Sequence, residues 1–195
     1  MLTKNWVLKT AITTEPIEVD TLKEHIHIDS DDEEMKLATL LLVAREFGEM
    51  RTGFAFAPQT WYLYLNDFPA EDYILWDRGP LTSVTSVKYT NSAGTETTMT
   101  VTTDYLVDAN VFPGKIYLPY GKTWPSFTPY PYNAVKIEGV CGYSGTVPYV
   151  LPKNYEQAML LHAGLMYKKR DLNLTPEEMS TIFDLYDLEK LKWVS

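Results

Sequence analysis

The feature that most constrains this chain is a double change in its hydrophobic period, from helical to alternating near residue 54 and back again near residue 151. An apolar residue at every third or fourth position marks one face of a helix. Strict alternation marks a strand with one buried face. A chain with this order reads as an α+β fold: a helical bundle of two N-terminal and two C-terminal helices with an inserted antiparallel β domain. The expected division is a helical domain from residues 1–53 and 151–195 and a β-rich insertion from 54–150. Each helical zone is too short to enclose a core alone, so the two are expected to pack on one another.

In the first zone, Pro16-Ile17-Glu18-Val19 opens a short amphipathic helix with Val19, Leu22 and Ile26 on one face. Ser30-Asp31-Asp32-Glu33 has the spacing of a capping box, and the acidic run Asp31, Asp32, Glu33, Glu34 suits the positive end of a helix dipole. Leu37, Leu40, Leu41, Ala44 and Phe47 follow at helical spacing, and Leu42 and Val43 widen the apolar surface beyond one stripe. A helix apolar on more than one side is expected to be covered on more than one side. Gly53 is the expected stop.

The middle zone holds strand signals at 60–65, 84–89 and 134–140, and a turn at Asn91-Ser92-Ala93-Gly94 with a returning strand at 95–101. Shorter candidates lie at 105–107 and 115–118. The proline-rich stretch 124–131 is expected as a loop or as cover for a sheet edge, since proline donates nothing to a ladder. In the third zone Tyr155, Ala158, Met159, His162, Leu165 and Met166 form a stripe. Thr175-Pro176-Glu177-Glu178 is a second capping box, leading a helix with Met179, Ile182, Phe183 and Tyr186 on one side and Leu185, Leu188 and Leu191 on another.

Composition excludes more than it assigns. The formal net charge is -9, which disfavours free binding to nucleic acid but suits a wall past which DNA slides. Cys141 is the one cysteine, so no intramolecular disulfide forms. No apolar run is long enough to span a membrane, and no apolar signal core follows Lys4 and Lys9. His25 and His27 lie two apart, which on a helix points them to nearly opposite sides, against a shared metal. His162 reads as a core histidine and the 31–34 cluster as a solvated helix start rather than a calcium loop. No nucleophile elbow or phosphate loop occurs. The expectation is a non-enzymatic protein with no metal and no cofactor.

Several strings taken in order resemble the gp6-like family of phage head–tail connector (adaptor) proteins, in its longer form with a β-insertion. They are Glu15-Pro16-Ile17-Glu18-Val19 through Leu22 to Asp29, the acidic start and leucine-rich helix ending at Thr52-Gly53, and Gln59-Thr60-Trp61. Residues 79–87, Asp104-Tyr105, Pro113-Gly114-Lys115-Ile116 and residues 120–125 continue the order. Asn133-Ala134-Val135, residues 139–143, Val147-Pro148, Gln157 to Leu161 and Tyr167 complete it. Glu18 stands where the family usually has a capping Ser or Thr, and Phe54-Ala55-Phe56 where a basic residue is common.

The resemblance implies a homo-oligomeric ring, usually of twelve copies, beneath the portal protein. Such a ring extends the DNA channel without binding DNA specifically and offers a platform to a stopper or tail-completion protein. It also implies a place in the virion neck at the portal vertex, and in the host cytoplasm before assembly, with no membrane. Within that expectation, Leu185, Leu188, Leu191, Trp193 and Val194 are the candidate portal-binding residues, and deleting 185–195 is expected to spare the fold. Asp31, Asp32, Glu33 and Glu34 are the candidate acidic lining of the channel. The alternative is a tyrosine-rich β-domain that recognises glycan or a host surface protein, with Trp61, Trp76, Trp124 and Tyr130 as stacking platforms.

Overall fold

The computed structural model describes residues 3–169 and 174–191, with the backbone alone for 189–191. Four helices and two antiparallel sheets are present among the described residues, an α+β chain. It divides into two compact units, one from residues 3–12 and 58–142, the other from residues 13–57 and 143–191.

The first unit is all β. One sheet has five strands in the order β1 (Asn5–Thr10), β2 (Gln59–Leu65), β8 (Val135–Cys141), β4 (Leu81–Thr90) and β5 (Glu96–Met99). The other has three, in the order β3 (Tyr73–Trp76), β7 (Gly114–Tyr117) and β6 (Leu106–Asp108). Alternation sets the register. β2 pairs β8 from Gln59 opposite Cys141 to Leu65 opposite Val135, so Leu63, Leu65, Val135 and Ile137 enter the core. Tyr62, Tyr64, Lys136 and Glu138 stand on the other face. Trp76 is fully buried, and a Cβ on Gly139 would lie 2.6 Å from its ring, so only glycine leaves the indole room.

The turn after β4 is built by Asn91, whose side-chain oxygen accepts the N–H groups of Ala93 and Thr95, both at 3.0 Å. The proline-rich stretch is irregular. Trp124 lies flat on Phe68 at 4.9 Å, and the Ser92 N–H donates to the Thr128 carbonyl at 2.8 Å.

Two strands lie outside the sequence expectation. β1 forms the edge of the large sheet, although residues before 16 show no clean alternation and fall within the expected helical domain of 1–53. β3 has only four residues and is legible mainly through its pairing with β7.

The second unit is helical: α1 (Val19–Ile26), α2 (Glu34–Thr52), α3 (Lys153–Lys168) and α4 (Pro176–Leu191). α1 starts at Val19, later than Pro16 suggests, and ends on His27 in the left-handed region at φ 58°. The expected box at Ser30–Glu33 does not form. Ser30 instead bonds the Asp32 N–H and carboxylate, while Glu33 accepts from Lys36 and the Tyr167 hydroxyl, so α2 begins at Glu34. Gly53 does end α2 at φ 76°. The box at Thr175 forms reciprocally: the Thr175 N–H donates to Glu178 at 3.0 Å and the Glu178 N–H to the Thr175 hydroxyl at 3.4 Å.

The core of this unit is aromatic. Phe56 stacks on Tyr155 at 4.5 Å, Phe47 on Phe183 at 5.6 Å, and the fully buried Tyr186 donates its hydroxyl to the Ala44 carbonyl at 3.0 Å. Arg45 of α2 is buried and donates to Glu15 and Glu49, each at 2.8 Å. The second oxygen of Glu49 accepts the Phe56 N–H at 2.8 Å.

Candidate assembly surface

α2 is apolar on two sides. Leu37, Leu41, Ala44 and Gly48 recur at helical spacing and are buried against the other helices. Met35, Leu42, Val43 and Met50 also recur at that spacing but on the opposite side, at 85%, 38%, 41% and 77% exposure. At about 3.6 residues per turn the centres of the two faces stand roughly opposite. An exposed apolar face of this length on a regular helix is the kind of surface a partner covers. The excess apolar character expected from Leu42 and Val43 therefore points outward, and Glu46 lies within the same face.

α4 carries part of the second expected surface. Leu188 is 48% exposed and Leu185 half-buried. The side chain of Leu191, and Trp193 and Val194 altogether, lie outside the described residues. One expectation needs correction: deleting 185–195 removes Tyr186 from the core, and Asp187, which accepts from Arg51 at 2.5 and 3.2 Å. A truncation that spares the fold has to keep Asp187.

The acidic run is divided by its contacts. Asp31 accepts from Lys23 at 2.6 Å, and the neighbouring ammonium holds its carboxyl below the usual range. Glu33 is held by Tyr167 and Lys36. Asp31, Asp32 and Glu34 remain exposed on the turn into α2.

The aromatic platforms of the alternative reading are engaged within the protein. Trp76 is buried, with Trp6 edge-on at 4.8 Å. Trp61 lies under the Arg78 guanidinium at 3.6 Å and donates its indole N–H to Gln59. Trp124 is stacked on Phe68 and donates to the Glu71 carbonyl. Tyr130 meets Tyr132 edge-on.

Among the described residues no three His, Cys, Asp or Glu side chains converge as a metal site, and no helix is long and apolar enough to cross a membrane. His162 packs edge-on to Phe47 at 5.0 Å with its Nδ1 unpartnered, and burial pushes its pKa down.

No family model and no curated protein matches this chain. Solved structures do. A chain of the neck of an empty gene transfer agent (GTA) particle, computed with C6 symmetry, superposes with a TM-score of 0.74 at 19% identity, over 93% of this chain and 94% of that one. A chain of the native GTA virion gives 0.74 at 20%, over 93% and 94%. One from the neck of the native particle computed with C12 symmetry gives 0.69 at 20%, over 95% and 94%. The fold is shared with these chains nearly end to end.

Proposed function

We propose that this protein is a structural component of the neck of a tailed-phage-like particle, a head–tail adaptor that forms a ring beneath the portal and carries the DNA channel toward the tail. The observation that carries this reading is the full-length likeness to GTA neck chains from particles computed with C6 and C12 symmetry. The exposed apolar face of α2 agrees with it, being suited to burial between copies. The net charge of -9 suits a wall that repels rather than binds DNA.

In this reading the chain is a virion protein with no catalytic role. Its partners are further copies of itself, the portal on one side and a stopper or tail-completion protein on the other. The C-terminal segment, with Leu185, Leu188, Leu191, Trp193 and Val194, meets the portal. Asp31, Asp32, Glu33 and Glu34 turn toward the channel.

The test is imaging of particles assembled with the intact chain and with a chain ending at Asp187. A ring at the portal vertex is expected for the first. For the second, the helical circular dichroism is expected to survive while the ring is lost. A portal vertex without this chain in otherwise complete particles would refute the adaptor. A retained ring with the shortened chain would refute the portal contact.

A further inference from the structure

We infer that the exposed face of α2 on one copy seats in a groove between α1, α3 and α4 of the next, so that the ring is built by one head-to-tail contact repeated. The inference rests on the ring reading above and adds the two surfaces that meet.

The groove has a volume of about 230 Å³. Its floor is Ile26, Leu165 and Ile182 over the backbone of Gly164, and Lys168 and Thr181 stand at its rim. At Gly164 a Cβ would lie 3.1 Å from Ile26, so α1 and α3 approach closely here. A cavity of about 150 Å³ lined by apolar side chains admits a benzene-sized group. This one has room for a Leu or Met side chain. Methionine adapts to irregular apolar space, and the stripe carries one at each end, Met35 and Met50.

The two surfaces are distinct: the stripe is on the outward side of α2, and the groove lies between α1, α3 and α4. On α3 the groove residues Leu161, Gly164, Leu165 and Lys168 lie about 60–160° round the helix from His162, which packs on Phe47 of α2. The stripe is on the side of α2 that faces away from that same core. Two different surfaces of one subunit that fit one another make a heterologous contact, which closes into a ring when the rotation per copy divides the circle.

Charge selects the same pairing. The Glu46 side chain is 63% exposed within the stripe, with only a 3.8 Å approach to Arg45. Lys168 is exposed at the groove and makes no ion pair with any described residue, while Glu178, the acidic residue of the lining, is held by Lys169 at 2.6 Å. Stripe-on-groove brings Glu46 toward Lys168, a contact of opposite charges.

Cysteines at Leu42 and Thr181, both exposed, test the contact, since the native Cys141 is buried. The full-length chain, free at high concentration and in assembled particles, is treated with a short bis-maleimide. The double variant is expected to give a ladder of cross-linked species, and an equal mixture of the two single variants a dimer and nothing larger. Glu46→Lys and Lys168→Glu are each expected to weaken self-association about tenfold and to restore it when combined. Cross-linking of the Leu42→Cys variant to itself, or a ring at the portal vertex with no ladder, overturns the inference and leaves the adaptor standing. Absence of the chain from the portal vertex together with no self-association overturns both.

Discussion

Gly48→Ala sets two effects of known sign against each other. In an exposed helix interior this substitution stabilises by about 1 kcal/mol, because glycine has more backbone freedom to lose. Gly48 instead faces two buried rings. A Cβ there would stand 2.5 Å from Phe56 Cε2, 2.6 Å from Tyr186 Cε1 and 2.9 Å from Phe56 Cζ. Carbon atoms rest at about 3.5–4.0 Å, so both rings must retreat by about an ångström. Neither is free to do so. Phe56 is stacked on Tyr155, and Tyr186 is tethered through its hydroxyl to Ala44.

Over-packing of this kind typically costs about 1–3 kcal/mol, and two clashing rings place Gly48→Ala at the upper end. Less the helix-propensity gain, the net loss is about 2 kcal/mol, or roughly 4–8 °C in Tm for a chain of this length. Urea unfolding followed by ellipticity at 222 nm reads the helical unit. Trp6, Trp61, Trp76 and Trp124 lie in the β unit, so in a Trp193→Phe background tryptophan fluorescence tracks the other transition and is expected to move less. Gly164→Ala is the control, since its Cβ would stand 3.1 Å from a rotatable Ile26 methyl-bearing side chain and is expected to change stability by under about 0.5 kcal/mol. A Gly48→Ala protein as stable as the parent would refute the reasoning, because it would show that the rings yield freely.

Three further substitutions probe the helical unit. Arg45→Met leaves Glu15 and Glu49 without their cation in a largely buried place and is expected to cost about 2–3 kcal/mol in urea unfolding, with Arg45→Lys recovering only part because it lacks the fork that reaches both carboxylates. His162 is neutral in the fold because burial lowers its pKa, while the unfolded chain takes up a proton near 6.5. Stability is therefore expected to be flat above that pH and to fall as pH drops below it, by at most about 1.4 kcal/mol per pH unit, and His162→Leu is expected to remove this slope between pH 7 and pH 5. Thr175→Ala breaks the box that starts α4 and is expected to cost about 1 kcal/mol, read as a lower thermal midpoint at 222 nm.

What could be read in advance followed from how strongly each segment repeats. α2, α3 and the strands β2, β4 and β8 announce themselves because five or more residues obey one period, and a wrong register would turn a whole apolar set to water. β1 does not, because only Trp6 of its six residues is partly shielded, so its side chains carry little record of the sheet. The box at Ser30 failed where that at Thr175 held, although both have the right spacing. Glu33 has a better offer from Tyr167 on α3, a partner 134 residues away that no local pattern shows. The outward face of α2 was visible as surplus apolar residues, Leu42 and Val43, but its extent to Met35 and Met50 was not. The groove was invisible, since it is assembled from Ile26, Gly164 and Ile182 in three separate helices.

Arg45 gains its importance from where the chain leaves the helical unit. The division into two units places those crossings at 12/13, 57/58 and 142/143. Glu15, which Arg45 holds, lies just past the first crossing. Phe56, whose N–H is held by the Glu49 that Arg45 also binds, lies just before the second. Tyr143 follows the third, and its N–H donates to the Ala55 carbonyl at 3.3 Å, beside Phe56. One guanidinium on α2 thus reaches the first crossing directly and the second through Glu49, and the backbone bond from Tyr143 to Ala55 ties the third to the second. Each is fixed on the helical side by charge-assisted or backbone hydrogen bonds rather than by apolar packing alone. A β domain inserted into a bundle requires such anchoring, because every crossing otherwise adds a loop whose freedom opposes folding. Arg45→Met should accordingly loosen more than its own neighbourhood. Hydrogen exchange in that variant is expected to accelerate together at Phe56 and Tyr143. Acceleration at Phe56 alone would show that the crossings are held independently.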